Sequence, residues 1–307
     1  MAVCDCNLGL SNTGTPSCQP LAGVTKKLII VPITADDGTL NRIDIANDTL
    51  DETFFDGKYN NADTSKRWYP TPLIDNIEDT RADALTETLN SGQNLKVQDG
   101  ARAFNGVMVN QEGVFLGKLE TAGCTDVGVY HIDKEGNLVG SLSSDGLFLE
   151  PIAVDKGTWN VILVKTTDTT VPKVQLTFEY LSTEKDADLR LYSASDISGF
   201  DTLNSEGLLD VNGTEFGVAT TTGFVVDLKL DYGPVASLIA VEGWVAADFS
   251  LFNETDVLTV VITSVTESAT VDGRYTFVIP AQTSADVLTL TDVKDGFELA
   301  AVTITIP

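Results

Sequence analysis

The chain has 307 residues, 43% of them hydrophobic, and its 45 acidic against 19 basic side chains leave a formal net charge of -26 with a single histidine. That apolar content excludes disorder of the whole chain, and the length is more than one ordinary β-sandwich needs. The charge argues against binding to phosphate backbones or anionic membranes, and one histidine leaves triad catalysis and histidine-rich metal centres almost no material.

Residues 1–24, rich in Asn, Thr, Ser, Gly and Pro, have no useful periodicity and read as an extended arm. They lack the charged and apolar regions of a secretory signal, and no apolar run in the chain approaches the roughly 20 residues that span a bilayer. The expectation is a soluble product, made in the cytoplasm, with no membrane segment. Cys4, Cys6 and Cys18 lie in the arm and Cys124 lies far downstream. A C-x-C pair followed by a distant third cysteine is not a zinc pattern, so free thiols are expected ahead of a metal or a disulfide.

Lys26–Ile33 is a short apolar run bounded by Pro32, which suggests a buried strand near an edge. Leu40–Ile45 alternates as a second strand. Asp48–Tyr59 suits one or two helical turns stopped at Gly57, and Trp68–Pro72 reads as extended, with its aromatic residues assigned to packing. Three periodicities then follow one another between Arg81 and Gly140. Ala82–Leu89 and Asn94–Gln98 read as strands separated by Asn90-Ser91-Gly92. The apolar residues Phe104, Val107, Met108, Phe115, Leu116 and Leu119 have helical spacing, although Gly106 and Gly113 restrict the helix to Asn110–Ala122. Val127–Ile132 and Leu138–Leu142 flank a turn and make a hairpin. The unit amounts to a β-layer carrying one helix.

Thr158–Lys165 is a further strand, and Val174–Tyr180 has Val174, Leu176, Phe178 and Tyr180 on one side and polar residues on the other. From Leu181 to Ser205 the pattern dissolves, which places a boundary near residue 200. Beyond it, strands are expected at Gly207–Val211, Thr214–Ala219, Gly223–Leu230, Ser237–Val241, Val257–Thr266, Gly273–Pro280 and Leu299–Ile306, a spacing that signals a β-sandwich of immunoglobulin-like architecture.

No dinucleotide fingerprint, Walker loop, zincin motif or nucleophile elbow is present. Asp133, Glu135 and Asn137 have the alternate spacing of a calcium loop, but Leu138 stands where that loop needs Gly and Ser144 where it needs Glu, so they form a turn. Carboxylate pairs abound without one pair standing out as a glycosidase site. The expectation is a protein that is not an enzyme and takes no cofactor or metal.

The runs Thr80–Gly92, Val97–Phe104 and Leu116–Tyr130 resemble structural proteins of tailed bacteriophages. A β-layer, one flanking helix and a hairpin, in that order, are similar to the tail-tube (major tail) protein fold, and a trailing immunoglobulin-like domain is common in such proteins. The resemblance implies a mainly β protein: an arm over 1–24, a tail-tube-like assembly domain of sandwich or barrel form with one flanking helix over 25–200, and an immunoglobulin-like decoration domain over 201–307. It further implies a virion tail subunit that polymerises with copies of itself as stacked hexameric rings and meets other tail proteins. Genomic DNA would pass through its electronegative bore without specific binding. Asp83 and Glu87 are the expected bore-facing residues, and Phe115, Leu116 and Leu119 the expected helix–sheet contacts. The alternative is a head-decoration or fibre-associated protein, or a surface adhesin, whose C-terminal sandwich recognises a host-surface glycan.

Overall fold

The computed structural model describes residues 21–307 together with Thr13 and Thr15, so the arm cysteines Cys4, Cys6 and Cys18 lie outside the described residues. Among the described residues the protein is mainly β, with two short α-helices. Its chain begins its first layer with β1 (Thr25–Pro32), whose apolar run sends Leu28 and Ile30 into one core and Ile29 and Val31 into another. Strand period two explains this split, because successive side chains leave opposite faces. The short β2 (Ile43–Asp44) precedes α1 (Glu52–Tyr59), where the Asp51 carboxylate caps the first turn by accepting from the Phe54 amide at 2.9 Å. The short β3 (Tyr69–Pro70) then pairs with β1.

Next come β4 (Asp75–Arg81), a ribbon of β5 (Leu85–Thr88) and β6 (Asn94–Gln98), β7 (Arg102–Val109) and α2 (Gly113–Glu120). The chain continues through β8 (Val127–Asp133), β9 (Leu138–Leu142), β10 (Phe148–Glu150), β11 (Ile152–Ala153), β12 (Asn160–Val164), β13 (Lys173–Glu179) and β14 (Leu189–Tyr192). One sheet runs β2-β10-β9-β8-β1-β3, with β11 and β14 attached; a second runs β12-β13-β7-β4. The second sheet and α2 cover one face of the first through Phe104, Met108, Val174, Leu176 and Phe178. The other face is covered by α1 and Trp68. Residues 25–200 therefore form three layers with the first sheet in the middle, the second sheet and α2 on one side and α1 on the other.

Several expectations need correction. Ala82–Leu89 is not a strand of the main layer: β4 ends at Arg81, and β5 belongs to a ribbon that pairs only with itself. Phe104, Val107 and Met108 lie on a strand, in which Gly106 occupies an inward position because a Cβ there would come within 2.5 Å of Ile74 Cγ2. Gly57 lies inside α1, which runs on to Tyr59 and is capped by Asn60. Leu40–Ile45 contributes only β2 and a bridge between Thr34 and Leu40. The stretch 181–205 includes β14, which pairs with β9.

The remaining strands are β15 (Leu209–Glu215), β16 (Gly223–Leu230), β17 (Phe249–Asn253), β18 (Leu258–Thr259), β19 (Ser264–Glu267), β20 (Arg274–Val278), β21 (Val287–Asp292), β22 (Phe297–Leu299) and β23 (Val302–Thr305). They form sheets β19-β20-β16-β15-β22 and β18-β17-β21-β23, packed around a core drawn only from residues 211–306. The pair β15–β22 is parallel. Strands β17 and β21 lie where none was expected, and Ser237–Val241 contributes only the bridge of Ala240 to Lys229.

On α2, Leu119 is buried, Phe115 and Leu116 are half-buried, and all three pack on the core between the two N-terminal sheets. Leu119→Ala should destabilise the protein by about 2–4 kcal/mol through the cavity left behind. Chemical denaturation measures it; a change within error would mean that the core collapses around this position.

Candidate functional site

Two features leave the packed body unfinished: the β5–β6 ribbon and a cleft beside α2. In the ribbon, Glu87 stands opposite Leu95, Thr86 opposite Lys96 and Thr88 opposite Asn94, and Gly92 takes a φ of 77° in the connecting turn. At its neck the Ala82 amide donates to the Ala101 carbonyl at 2.8 Å, and a side chain at Gly100 would overlap the Ala82 carbonyl. Every residue of both strands is exposed, including Leu85 at 61% and Val97 at 58%. Within 85–98 the only charges are Glu87 and Lys96, so the ribbon is neutral on a strongly acidic molecule. Glu87 lies mid-strand on it, while Asp83 lies just before β5, and both are exposed.

The cleft, of about 1520 Å³, runs between the three-layer portion and the C-terminal sandwich, with Ile30, Tyr69, Leu73, Phe115 and Tyr232 among its walls. Three cations tie its two sides together. Arg67, 5% exposed, holds Glu298 with both terminal nitrogens, at 2.5 and 3.1 Å, and donates from Nε to the Asn61 carbonyl. Lys118 of α2 reaches Asp210 at 2.6 Å and lies over the Tyr232 ring. Lys27 of β1 donates to the carbonyls of Leu203, at 2.8 Å, and Ser205, which pins the segment leading to β15. Burial of Lys27 lowers its pKa to about 8 against the opposing pull of Glu206 and Asp201. The Asn60 side-chain oxygen also accepts from the Gly296 amide at 2.9 Å.

None of these clasp residues was singled out from the sequence, because each partner lies far away in the chain. The one local signal was Lys27, a cation directly before the apolar run Leu28–Val31 of β1.

The turn reading of Asp133 holds, since its carboxylate accepts from the amides of Gly23, Glu135 and Asn137 and from the Asn137 side chain, at 2.8–2.9 Å. Among the described residues no three His, Cys, Asp or Glu side chains cluster as a metal site, no helix is long and apolar enough to cross a membrane, and Cys124 is an exposed free thiol. No protein-family model matches the chain, and no curated protein matches it.

His131 is built into the core. One ring nitrogen meets Tyr180 Oη at 2.8 Å and the other Thr25 Oγ1 at 3.0 Å, while Phe104 packs edge-on against the ring. Arg102 lies over the Tyr180 ring and is held by Asp79 at 2.6 and 2.7 Å. Burial, with Arg102 nearby and only partly opposed by Asp79, lowers the His131 pKa to about 4. The folded value lies below the unfolded one, near 6.5, so the unfolded chain takes up the proton first and stability falls as pH drops through that window. Unfolding free energy should lose about 2 kcal/mol more between pH 7.5 and 5 in the native protein than in His131→Gln. Urea titrations at both pH values check this; equal losses would mean that His131 takes up its proton in the fold as readily as in the unfolded chain.

Proposed function

We propose that the protein is a virion structural subunit, a tail-tube protein whose copies close into rings and stack around an electronegative conduit for DNA. The observation that carries this reading is the β5–β6 ribbon. A free two-stranded ribbon is at best marginally stable in water, and its two outer edges offer unpaired backbone groups to another chain. Leu85, Leu95 and Val97 on such an element become buried only when a neighbour covers them. Heterologous contacts of this kind, repeated around a closed ring, produce the assembly expected of a tube.

Charge supports the second half of the proposal. A bore that conducts DNA works best when its wall does not hold phosphate, and a subunit with a net charge of -26 supplies such a wall. Asp83 and Glu87, exposed at the base and middle of the ribbon, are its proposed contribution to that wall. Carboxylates repeated from ring to ring at spacings near the Debye length of about 8 Å would have overlapping fields.

Negative-stain micrographs of the purified full chain should contain rings or tubes, and the double variant Leu95→Asp, Val97→Asp should leave monomers. Thermal stability should change by less than about 0.5 kcal/mol, because these side chains are exposed in the protomer. Native protein that stays monomeric at all concentrations, or a variant that assembles normally, overturns the reading. Replacing Asp83 and Glu87 together by Lys should leave folding nearly intact, and tubes of this variant should retain DNA in a filter-binding assay; unchanged retention would remove both residues from the wall.

A further inference from the structure

The C-terminal sandwich has its own core, and among the described residues no buried apolar cluster includes side chains of both portions and no strand of one pairs with a strand of the other. The ion pairs and hydrogen bonds across their junction join Arg67 to Glu298, Lys118 to Asp210 and, at 3.8 Å, Asp231, and the Gly296 amide to Asn60. Domains that share no apolar core are free to move once such links are lost.

The covalent connection is short. Ser205 is fixed to the three-layer portion, its carbonyl accepting from Lys27 and its hydroxyl donating to the Thr202 carbonyl. The Leu209 amide is fixed to the sandwich by the Gly296 carbonyl. Between these anchors, and among the described residues, the backbone of Glu206, Gly207 and Leu208 makes no hydrogen bond. Three residues centred on a glycine can absorb a change of φ and ψ while both anchors hold.

Charge opposes closure. Residues 206–307 carry 15 carboxylates and three cations, and residues 1–205 carry 30 and 16, so bodies of net charge -12 and -14 lie in contact. Burial, then Glu52 and, across the junction, Asp295 raise the pKa of Asp56 on α1. The repulsion reaches far at low salt, with a Debye length of about 20 Å at 20 mM, and is confined to about 4 Å at 0.5 M. The buried Arg67 pair is screened much less.

We propose that the C-terminal sandwich is a hinged lid over the cleft, turning about residues 206–208 and held shut by the Arg67 and Lys118 pairs against the mutual repulsion of two acidic portions. Opening uncovers the cleft walls around Leu73, Phe115 and Ile239. The inference stands on the protomer alone and does not need a neighbouring copy.

Small-angle X-ray scattering on the protomer fraction of the full chain from a sizing column tests it. The native protein should keep one radius of gyration at 20 mM and 0.5 M salt. Arg67→Gln with Lys118→Gln should expand by about 3 Å at 20 mM, the size expected when two domains swing apart, and return to the native value at 0.5 M. A variant as compact as the native protein at 20 mM means that packing holds the sandwich, and expansion that persists at 0.5 M means that repulsion does not drive it; either overturns the lid. Should near-ultraviolet circular dichroism show that Arg67→Gln unfolds its surroundings, Glu298→Ala with Lys118→Ala removes the same pairs at half-exposed positions and must show the same reversal by salt.

Discussion

The N-terminal portion depends on a middle sheet whose strands β1 and β8 are buried on both faces. In β8 every side chain is buried, and in β1 alternate residues enter two separate cores. A strand in that position must be apolar throughout, because a polar side chain on either face loses its water. Lys27, His131 and Asp133 are the exceptions, each given partners in place of water, and the Lys27 ammonium is accommodated by the carbonyls of Leu203 and Ser205. The same bonds fix where the chain leaves the three-layer portion to begin the C-terminal sandwich. A single buried cation thus couples the core of one portion to the placement of the other.

Cations are scarce in this chain, and the structure uses many of them at junctions. Arg67 and Lys118 close the two sides of the cleft, Arg102 ties β7 to β4 through Asp79, and Arg81 reaches Asp186. In the sandwich, Arg274 pairs with Asp227 across β20 and β16, and Lys294 with Asp248. The buried and bidentate pairs are the ones whose loss would leave a charge stranded; the exposed ones contribute little. With so much positive charge spent on internal fastening, the outer surface keeps its acidic excess.

How much of this was legible depended on whether a pattern was local. Strand β13 was readable because inward apolar and outward polar residues alternate without interruption, and β16 and β20 because they do so apart from Val225 and Val278 in their outward rows. Strand β7 was misread because its inward positions are Phe104, Gly106 and Met108: the missing middle side chain, displaced by Ile74, leaves apolar spacings that imitate a helix. Strand β17 was missed because its inward row ends in the buried Asn253 and its outward row includes Phe252, which blurs the contrast between faces. The ribbon's alternation was visible, but its lack of any partner strand is a tertiary fact. The clasp was invisible, since Arg67 and Glu298 lie 231 residues apart.

Like charge also narrows the ways in which two copies can meet. Bodies that each carry -26 repel over a Debye length of about 8 Å at physiological salt, so close approach favours surfaces that bring little charge. The β5–β6 ribbon, with one Glu and one Lys, and residues 1–20, with one Asp, are two such stretches, and both carry apolar side chains that another copy could cover. Repulsion elsewhere on the surface then acts as a filter, disfavouring contacts made through the acidic body and leaving the neutral elements to set the geometry of association.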